Sequence, residues 1–122
     1  MSGTLTQKPV VLLQHGMGGD ATEFFFNAPF KAPAFSLSQA GFDLWFGNNR
    51  GTLQSMGHTH LDPFWNRAEY WEYDFDELGI YDVPAEIDFI LEVTGQEKLS
   101  FIGHSMGTTQ MLTGLSDIPE YY

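Results

Sequence analysis

The sequence contains no cysteine among its 122 residues, which excludes disulfide bonds, catalytic thiols and thiolate metal sites. Basic residues are also scarce, because five Lys and Arg stand against 16 Asp and Glu and give a formal net charge of −11. Such an acidic surface repels nucleic acid and anionic membranes, so neither is expected as a partner. We interpret the acidity itself as a well-hydrated surface rather than a binding site.

Long apolar runs are missing as well. The longest aliphatic stretch near the start covers residues 10–13, far below the roughly 18 apolar residues of a membrane span, so no transmembrane segment is predicted. Residues 1–8 lack a cationic head followed by an apolar core, and we interpret them as an N-terminal tail rather than a secretory signal. The localisation stays open. A length of 122 residues with 43% hydrophobic and 16% aromatic residues fits one globular domain.

Three short apolar segments alternate with helical patterns along the chain. Residues 10–14 form a nearly continuous aliphatic run, typical of a strand buried on both faces of a parallel sheet, and residues 42–46 and 98–102 are the second and third strands. Helices are predicted at residues 34–40, at 74–94 with a kink or a new start near Pro84, and after Ser105. The alternation predicts an α/β fold with a mostly parallel sheet and helices on both faces.

Residues 52–73 show no clean period and predict a long loop with one helical turn. His58, His60 and Asp62 have the residue types and spacing of metal ligands, but no further ligand is clustered with them in the sequence. A polar surface loop is therefore favoured over a metal site, and no metal or cofactor is predicted. Four aromatic residues of this loop could contact a lid, although packing is the favoured role; they are Trp65, Tyr70, Trp71 and Tyr73.

Arg50 lies in the polar, glycine-flanked segment 47–51 that follows the second strand. The carboxyl ends of the strands in an open α/β sheet are where ligands bind, so Arg50 could line a site. An ion pair with nearby carboxylates that holds the loops together is the favoured interpretation.

Residues 103–107, Gly-His-Ser-Met-Gly, follow the third strand and precede a helix. Strand, Gly-x-Ser-x-Gly and helix, in this order, form the setting of a nucleophile elbow, a sharp turn that holds the serine hydroxyl clear of the backbone. The two glycines are needed because the chain on either side of the serine passes so close that a Cβ would collide. Ser105 is the predicted catalytic nucleophile, and an ordinary tight turn is the alternative.

A second loop, His15-Gly16-Met17, follows the first strand and is expected at the same edge of the sheet as the elbow. Acyl transfer needs hydrogen-bond donors aimed at the developing oxyanion, usually the N–H after the nucleophile and one from the loop after an earlier strand. Met17 and Met106 hold these two positions in the predicted site. Their side chains could also form a pliable apolar wall, with ordinary core packing as the alternative.

Several separated runs resemble the acid lipase family of α/β-hydrolases, which contains gastric and lysosomal acid lipases and related sterol ester hydrolases. The runs are residues 11–17, 40–51, 75–90, 94–96 and 103–109. The resemblance implies a partial α/β-hydrolase fold, in which residues 9–122 form an incomplete domain that lacks the first strands, the lid and the triad Asp and His. It also implies a carboxylic ester hydrolase, a lipase, that acts on triacylglycerol or sterol esters through an acyl-enzyme on Ser105.

The resemblance further matches the Met17 and Met106 amides to the oxyanion hole of the family. It implies transient contact with a lipid interface and a secreted or lysosomal protein, and it leaves the oligomeric state open. One departure concerns Met106, which stands where the family usually has Gln. Because a backbone N–H fills the role, the hole stays plausible with either side chain.

The second departure is larger. Triad partners in this fold follow the serine in the order acid and then histidine, but only Asp117 and Glu120 follow Ser105, and no histidine does. His104 is rejected as the general base because its side chain leaves the turn in another direction. The 122 residues are therefore expected to be inactive alone, as part of a hydrolase or, alternatively, as a non-catalytic truncated paralogue or binding protein.

Overall fold

The computed structural model describes residues 7–122 and contains a three-stranded parallel sheet at its centre. The strands are β1 (Val10–Gln14), β2 (Asp43–Gly47) and β3 (Ser100–Gly103), in the spatial order β2-β1-β3. Both pairings are parallel, as predicted. Of the N-terminal tail predicted for residues 1–8, residues 1–6 lie outside the described residues.

Strand β1 is buried over its whole length, as its continuous aliphatic run predicts. Successive side chains point to opposite faces, so Val10 and Leu12 pack in one cluster and Val11 and Leu13 in another. The first cluster includes buried side chains from a helix at residues 83–94, and the second includes Ala34 from a helix at residues 33–39. The prediction of helices on both faces of the sheet is therefore confirmed.

Strand β2 begins one residue later than predicted, because Phe42 completes the end of the preceding helix. The Phe42 N–H donates to the Leu37 carbonyl at 3.2 Å, and Gly41 takes a φ of 96°. This is the turn that commonly ends helices, with glycine in the left-handed region. The sheet then starts at Asp43, whose N–H donates to the Pro9 carbonyl at 2.9 Å.

The helical elements occupy the predicted segments, with two additions. They are α1 (Pro33–Gln39), α2 (Arg67–Tyr70), α3 (Phe75–Glu77), α4 (Val83–Thr94) and α5 (Met106–Asp117), with 3-10 turns at Ala21–Phe24 and Leu53–Ser55. The loop at residues 52–73 thus holds two short helical turns rather than the predicted one. No helix within residues 7–122 is long and apolar enough to cross a membrane.

A π-helical segment, Leu78–Asp82, connects α3 to α4 and was not predicted. Helix α3 begins with a capping box between Asp74 and Glu77, and α4 ends at Gly95 with a φ of 66°. Pro84 lies in the first turn of α4. In a regular helix a proline ring clashes with the carbonyl four residues earlier. The wider π-turn before Pro84 explains how the helical conformation continues past this residue.

Candidate active site

Ser105 lies on the sharp turn between β3 and α5, where the elbow was predicted. Its φ of 51° and ψ of −118° make it the one non-glycine residue with positive φ in the part of the chain that the structure describes. A side chain in this region is strained, which is typical of functional turns. The His104 N–H donates to the Gln14 carbonyl at 3.0 Å and so fixes the turn to the end of β1.

The two elbow glycines are required by close backbone contacts, as the sequence pattern predicts. A Cβ on Gly103 would lie 2.6 Å from the Thr108 nitrogen and 2.7 Å from the Gly107 carbonyl. A Cβ on Gly107 would collide with the carbonyl oxygens at the end of β1, that of His15 at 2.8 Å. These neighbours are backbone atoms, which cannot turn aside as a flexible side chain can.

The loop after β1 lies directly against the elbow. A Cβ on Gly16 would lie 3.1 Å from the Ser105 Cβ. Glu23 links the two segments, because its Oε1 accepts from the Gly16 N–H at 3.1 Å and lies 3.1 Å from the His104 Nδ1. The structure therefore brings together Ser105 and the loop that carries Met17, two segments almost 90 residues apart in sequence.

The backbone N–H groups of Met17 and Met106 were predicted as oxyanion donors. Within residues 7–122, neither donates to a backbone carbonyl. Both residues line one cavity of about 550 Å³, and Ser105 stands next to Met106 outside its wall. The Met17 side chain is 79% exposed, so core packing does not account for it. Both predicted donor positions therefore border the same cavity.

The cavity wall is largely apolar and comes from the loops that follow β1 and β2 and from the chain before α4. Its apolar side chains outside the two predicted donor positions are Leu53, Met56, Trp71, Tyr73, Phe75 and Leu78. Trp71 and Tyr73 line this pocket and also pack within the loop, which was their favoured role: the Trp71 ring lies 4.8 Å from that of Tyr70 and 6.2 Å from that of Tyr73. Tyr70 is buried and donates to the Met56 carbonyl at 2.8 Å, and Trp65 is 89% exposed.

Arg50 forms the ion pair that was its favoured interpretation. Its Nε donates to Asp82 Oδ1 at 2.7 Å, and its backbone N–H donates to Asp82 Oδ2 at 2.8 Å. Its carbonyl accepts from the Tyr73 hydroxyl at 2.8 Å. Arg50 also lines the cavity, so it joins the loop after β2 to the π-helical segment at the pocket wall. Because the Arg50 side chain is 40% exposed, solvent screens the pair, which by itself contributes about 1 kcal/mol or less to stability.

None of the four histidines hydrogen-bonds to Ser105 within the described residues. His15 is buried, with its Nδ1 2.7 Å from the Gly16 carbonyl and its Nε2 accepting from the Asn49 N–H at 3.1 Å. His104 points to Glu23. His58 Nδ1 accepts backbone N–H groups of His60 and Leu61, at 3.2 and 3.0 Å.

The histidine-rich loop uses its polar side chains to hold its own backbone. Besides His58, Asp62 Oδ1 accepts from the Phe64 and Trp65 N–H groups at 2.8 and 3.0 Å. Side chains engaged in such turns are typical of a polar surface loop. Across residues 7–122, no group of three or more His, Asp or Glu side chains is placed to hold a metal ion.

Sequence reasoning missed a set of buried polar side chains beneath the elbow. Gln14, Asn49 and Gln110 are each at most 3% exposed and hydrogen-bond to one another. Gln14 ends an apolar strand, and Asn49 follows the second strand, so polar residues at strand ends were the available signal. Gln110 offered none, because an isolated glutamine in a helix is ordinary.

A parallel sheet covered by helices on both faces, with a strained serine on the turn from strand to helix, defines the chain as an α/β-hydrolase-type fold. The sequence profile described as alpha/beta hydrolase fold matches residues 9–121. The chain therefore belongs to the alpha/beta hydrolase fold family and, within it, to the acid lipases that the sequence resembles.

Three curated relatives illustrate the similarity. Gastric triacylglycerol lipase of Bos taurus is 45% identical over 115 residues, which cover 94% of this chain and 28% of that protein. The Homo sapiens protein of the same name is 45% identical over 108 residues, 88% of this chain and 27% of that protein. Lipase member K of Homo sapiens is 43% identical over 118 residues, which cover 97% of this chain and 29% of that protein. The chain thus spans less than a third of the length of these relatives.

Proposed function

We propose that this chain supplies the nucleophile and oxyanion hole of a carboxylic ester hydrolase of the lipase type. The observation that carries the proposal is the contact between Ser105, strained at a φ of 51°, and the loop that bears Met17. A reactive serine needs an exposed hydroxyl with hydrogen-bond donors beside it. Ser105 is exposed, and the donors we propose are the N–H of the next residue, Met106, and that of Met17 in the adjoining loop. The similarity to proteins named triacylglycerol lipases supports the same reaction class.

In the proposed reaction the Ser105 Oγ attacks the carbonyl carbon of an ester while a general base removes the hydroxyl proton. The carbonyl oxygen becomes an oxyanion that the Met17 and Met106 N–H groups stabilise. Collapse of this intermediate breaks the bond to the alcohol, which leaves with a proton from the base and leaves an acyl group on Ser105. A water molecule, deprotonated by the same base, then releases the acid and restores the serine.

We propose that the base is a histidine outside these 122 residues, oriented by an acid that also lies outside them. The described histidines are engaged elsewhere, and His15 in particular is buried with both ring nitrogens in hydrogen-bond contact. The relatives are more than three times as long as this chain. This length is consistent with residues 9–122 being an incomplete domain, whose first strands, lid and triad partners belong to other parts of the gene product. The 122 residues alone are then inactive.

We propose a neutral lipid ester, triacylglycerol or sterol ester, as the substrate. The apolar cavity wall beside Met106 suits an acyl chain, and a pocket of about 550 Å³ is in the range that holds small ligands. Leu53 and Met17 line this cavity and are 81% and 79% exposed, which suits transient contact with a lipid interface.

A fluorophosphonate probe tests the nucleophile, because it forms a covalent bond only with an activated serine. In the complete gene product we expect mass spectrometry to find the probe on the peptide that contains Ser105. Ser105→Ala is expected to remove the label, and Ser116→Ala, on the exposed side of the same helix, to retain it. Labelling that persists in Ser105→Ala would contradict the assignment, and absence of labelling in the wild type would favour the non-catalytic paralogue or binding protein.

Replacing the peptide N–H of Met106 by an ester oxygen is expected to lower kcat about 100-fold with little change in KM. The substitution deletes one oxyanion donor, and a donor of this kind acts mainly in the transition state. It is made by incorporating the α-hydroxy analogue of methionine at position 106. Met106→Gln, which keeps the N–H, is the matched control and should retain activity. Equal losses in both variants would show that the side chain and not the N–H matters.

A further inference from the structure

A chain of buried polar side chains joins the strands to the elbow helix. Gln14 Nε2 donates to Asn49 Oδ1 at 2.8 Å, and Gln110 Nε2 donates to the same oxygen at 3.2 Å. Asn49 Nδ2 donates to Gln110 Oε1 at 3.0 Å, and the Asn49 N–H donates to His15 Nε2 at 3.1 Å. The network therefore connects the end of β1, the loop after β2 and helix α5, which begins directly after Ser105.

Two buried oxygen atoms at one end of this network have no hydrogen-bond partner within the described residues. They are Gln14 Oε1 and Glu86 Oε2. Both lie beside Gly47, where a Cβ would overlap Gln14 Oε1 and lie 2.7 Å from Glu86 Oε2. The other carboxyl oxygen, Glu86 Oε1, accepts from the Asn48 N–H at 3.0 Å. Two acceptors buried side by side repel each other unless one of them carries a proton.

We propose that Glu86 is a neutral carboxylic acid in the folded protein and that its Oε2–H donates to Gln14 Oε1. This proton gives both orphaned oxygens a partner and extends the network from Gln14 to helix α4. Glu86 then acts as a positioning residue, because it holds the Gln14 side chain whose amide holds Asn49. The inference concerns how the ends of β1 and β2 are held, and it does not depend on the proposed hydrolysis.

The charges around Glu86 favour the neutral form. Burial in the protein interior raises the pKa of its carboxyl to about 8, and the negative charge of Asp82 acts in the same direction. Arg50, the nearby cation in the loop after β2, is engaged by Asp82. On the side of β1 the titratable group in the network is His15, whose hydrogen bonds to Asn49 and Gly16 are those of a neutral ring.

The proposal fixes the direction of a pH effect. An ordinary glutamate in the unfolded chain has a pKa of 4.5, whereas the pKa of Glu86 in the folded protein is about 8. Between these values folding takes up a proton, so the contribution of Glu86 to stability is complete below pH 4.5 and is lost as the pH rises through 8. Within this window the unfolding constant should rise by about tenfold per pH unit through this one group.

Glu86→Gln tests the proposal in the complete gene product, because glutamine can accept from the Asn48 N–H and donate to Gln14 Oε1 without titrating. We expect it to be as stable as the wild type at the acid end of the window and to lack the tenfold dependence per pH unit. The infrared band of a protonated carboxylic acid should be present in the wild type and absent in the variant. Glu92→Gln, exposed on the same helix, is the control and should behave as the wild type.

An alternative arrangement of the amides defines the result that would overturn the proposal. If the Gln14, Asn49 and Gln110 amides were all turned over, Gln14 Nε2 would donate to an ionised Glu86 and no proton would be needed. Glu86→Gln would then keep the pH dependence of the wild type, no carboxylic acid band would be lost, and the proposal would be wrong. A Glu86→Gln protein less stable than the wild type at the acid end of the window would contradict it equally.

Discussion

In the complete gene product, replacing Ser105 by glycine is expected to abolish hydrolysis and, at the same time, to make the folded protein more stable. Loss of a serine nucleophile lowers kcat by about 10⁶-fold in a well-studied protease, and we expect a loss of that order here. Stability should rise because Ser105 has a φ of 51° and a ψ of −118°, where a Cβ is strained and glycine is not. Steady-state hydrolysis and denaturant unfolding measure the two effects.

The size of the stability gain follows from two opposing contributions. Relief of backbone strain at a residue of this kind contributes roughly 1–3 kcal/mol. The greater freedom of glycine in the unfolded chain removes about 0.5–1 kcal/mol of this. A net gain of about 1 kcal/mol is therefore expected for Ser105→Gly. Ser105→Ala keeps the Cβ and the strain, so it should lose the same activity without the gain in stability.

Ser116→Gly provides the matched control, because Ser116 is exposed and lies in the last turn of the same helix, away from the elbow. Glycine weakens a helix by up to about 0.5 kcal/mol relative to serine, so this variant should be slightly less stable and fully active. Opposite signs at positions 105 and 116 would locate the strain at the elbow. A Ser105→Gly protein that is destabilised as much as Ser116→Gly would contradict a strained nucleophile turn.

The features that the sequence predicted are those whose cause is local. The aliphatic run of β1 identified a strand buried on both faces, and the glycine spacing around Ser105 identified a turn whose neighbours lie within 3 Å of where a Cβ would be. The end of α4 was also readable, because Gly95 takes the left-handed conformation that ends helices. Each of these depends on a few consecutive residues and one rule of backbone geometry.

The features that sequence reasoning missed depend on partners far apart in the chain. Glu86 resembles any surface acid of an amphipathic helix, and only the folded structure brings its Oε2 beside Gln14. Trp71 and Tyr73 belong to a loop without hydrophobic period, so nothing in the pattern could tell a pocket wall from packing. The π-helical segment was also not predictable from the pattern. Helical periodicity before Pro84 indicates a helix but does not show which hydrogen-bond spacing the backbone adopts next to the proline.

Gly107→Ala is expected to destabilise the folded protein by about 3 kcal/mol and to lower hydrolysis steeply. The new Cβ would lie 2.8 Å from the His15 carbonyl oxygen and closer still to that of Gln14. Both atoms belong to the backbone at the end of β1, so relief requires the elbow to move away from the strand. Such a shift separates Ser105 from the Met17 loop, and displacements of about 1 Å cost catalysts on the order of 100-fold.

Gly57→Ala is the matched control for this prediction, because a Cβ at Gly57 would meet no atom within 4 Å and the residue does not need a positive φ. It should leave hydrolysis unchanged and stability unchanged or raised by up to about 1 kcal/mol, since alanine restricts the unfolded chain. The two variants are compared by their midpoints of denaturant unfolding, provided that their unfolding free energies depend on denaturant concentration with the same slope. If Gly107→Ala unfolds at the same midpoint as Gly57→Ala, the elbow has room for a side chain and its glycine is not required by contact with β1.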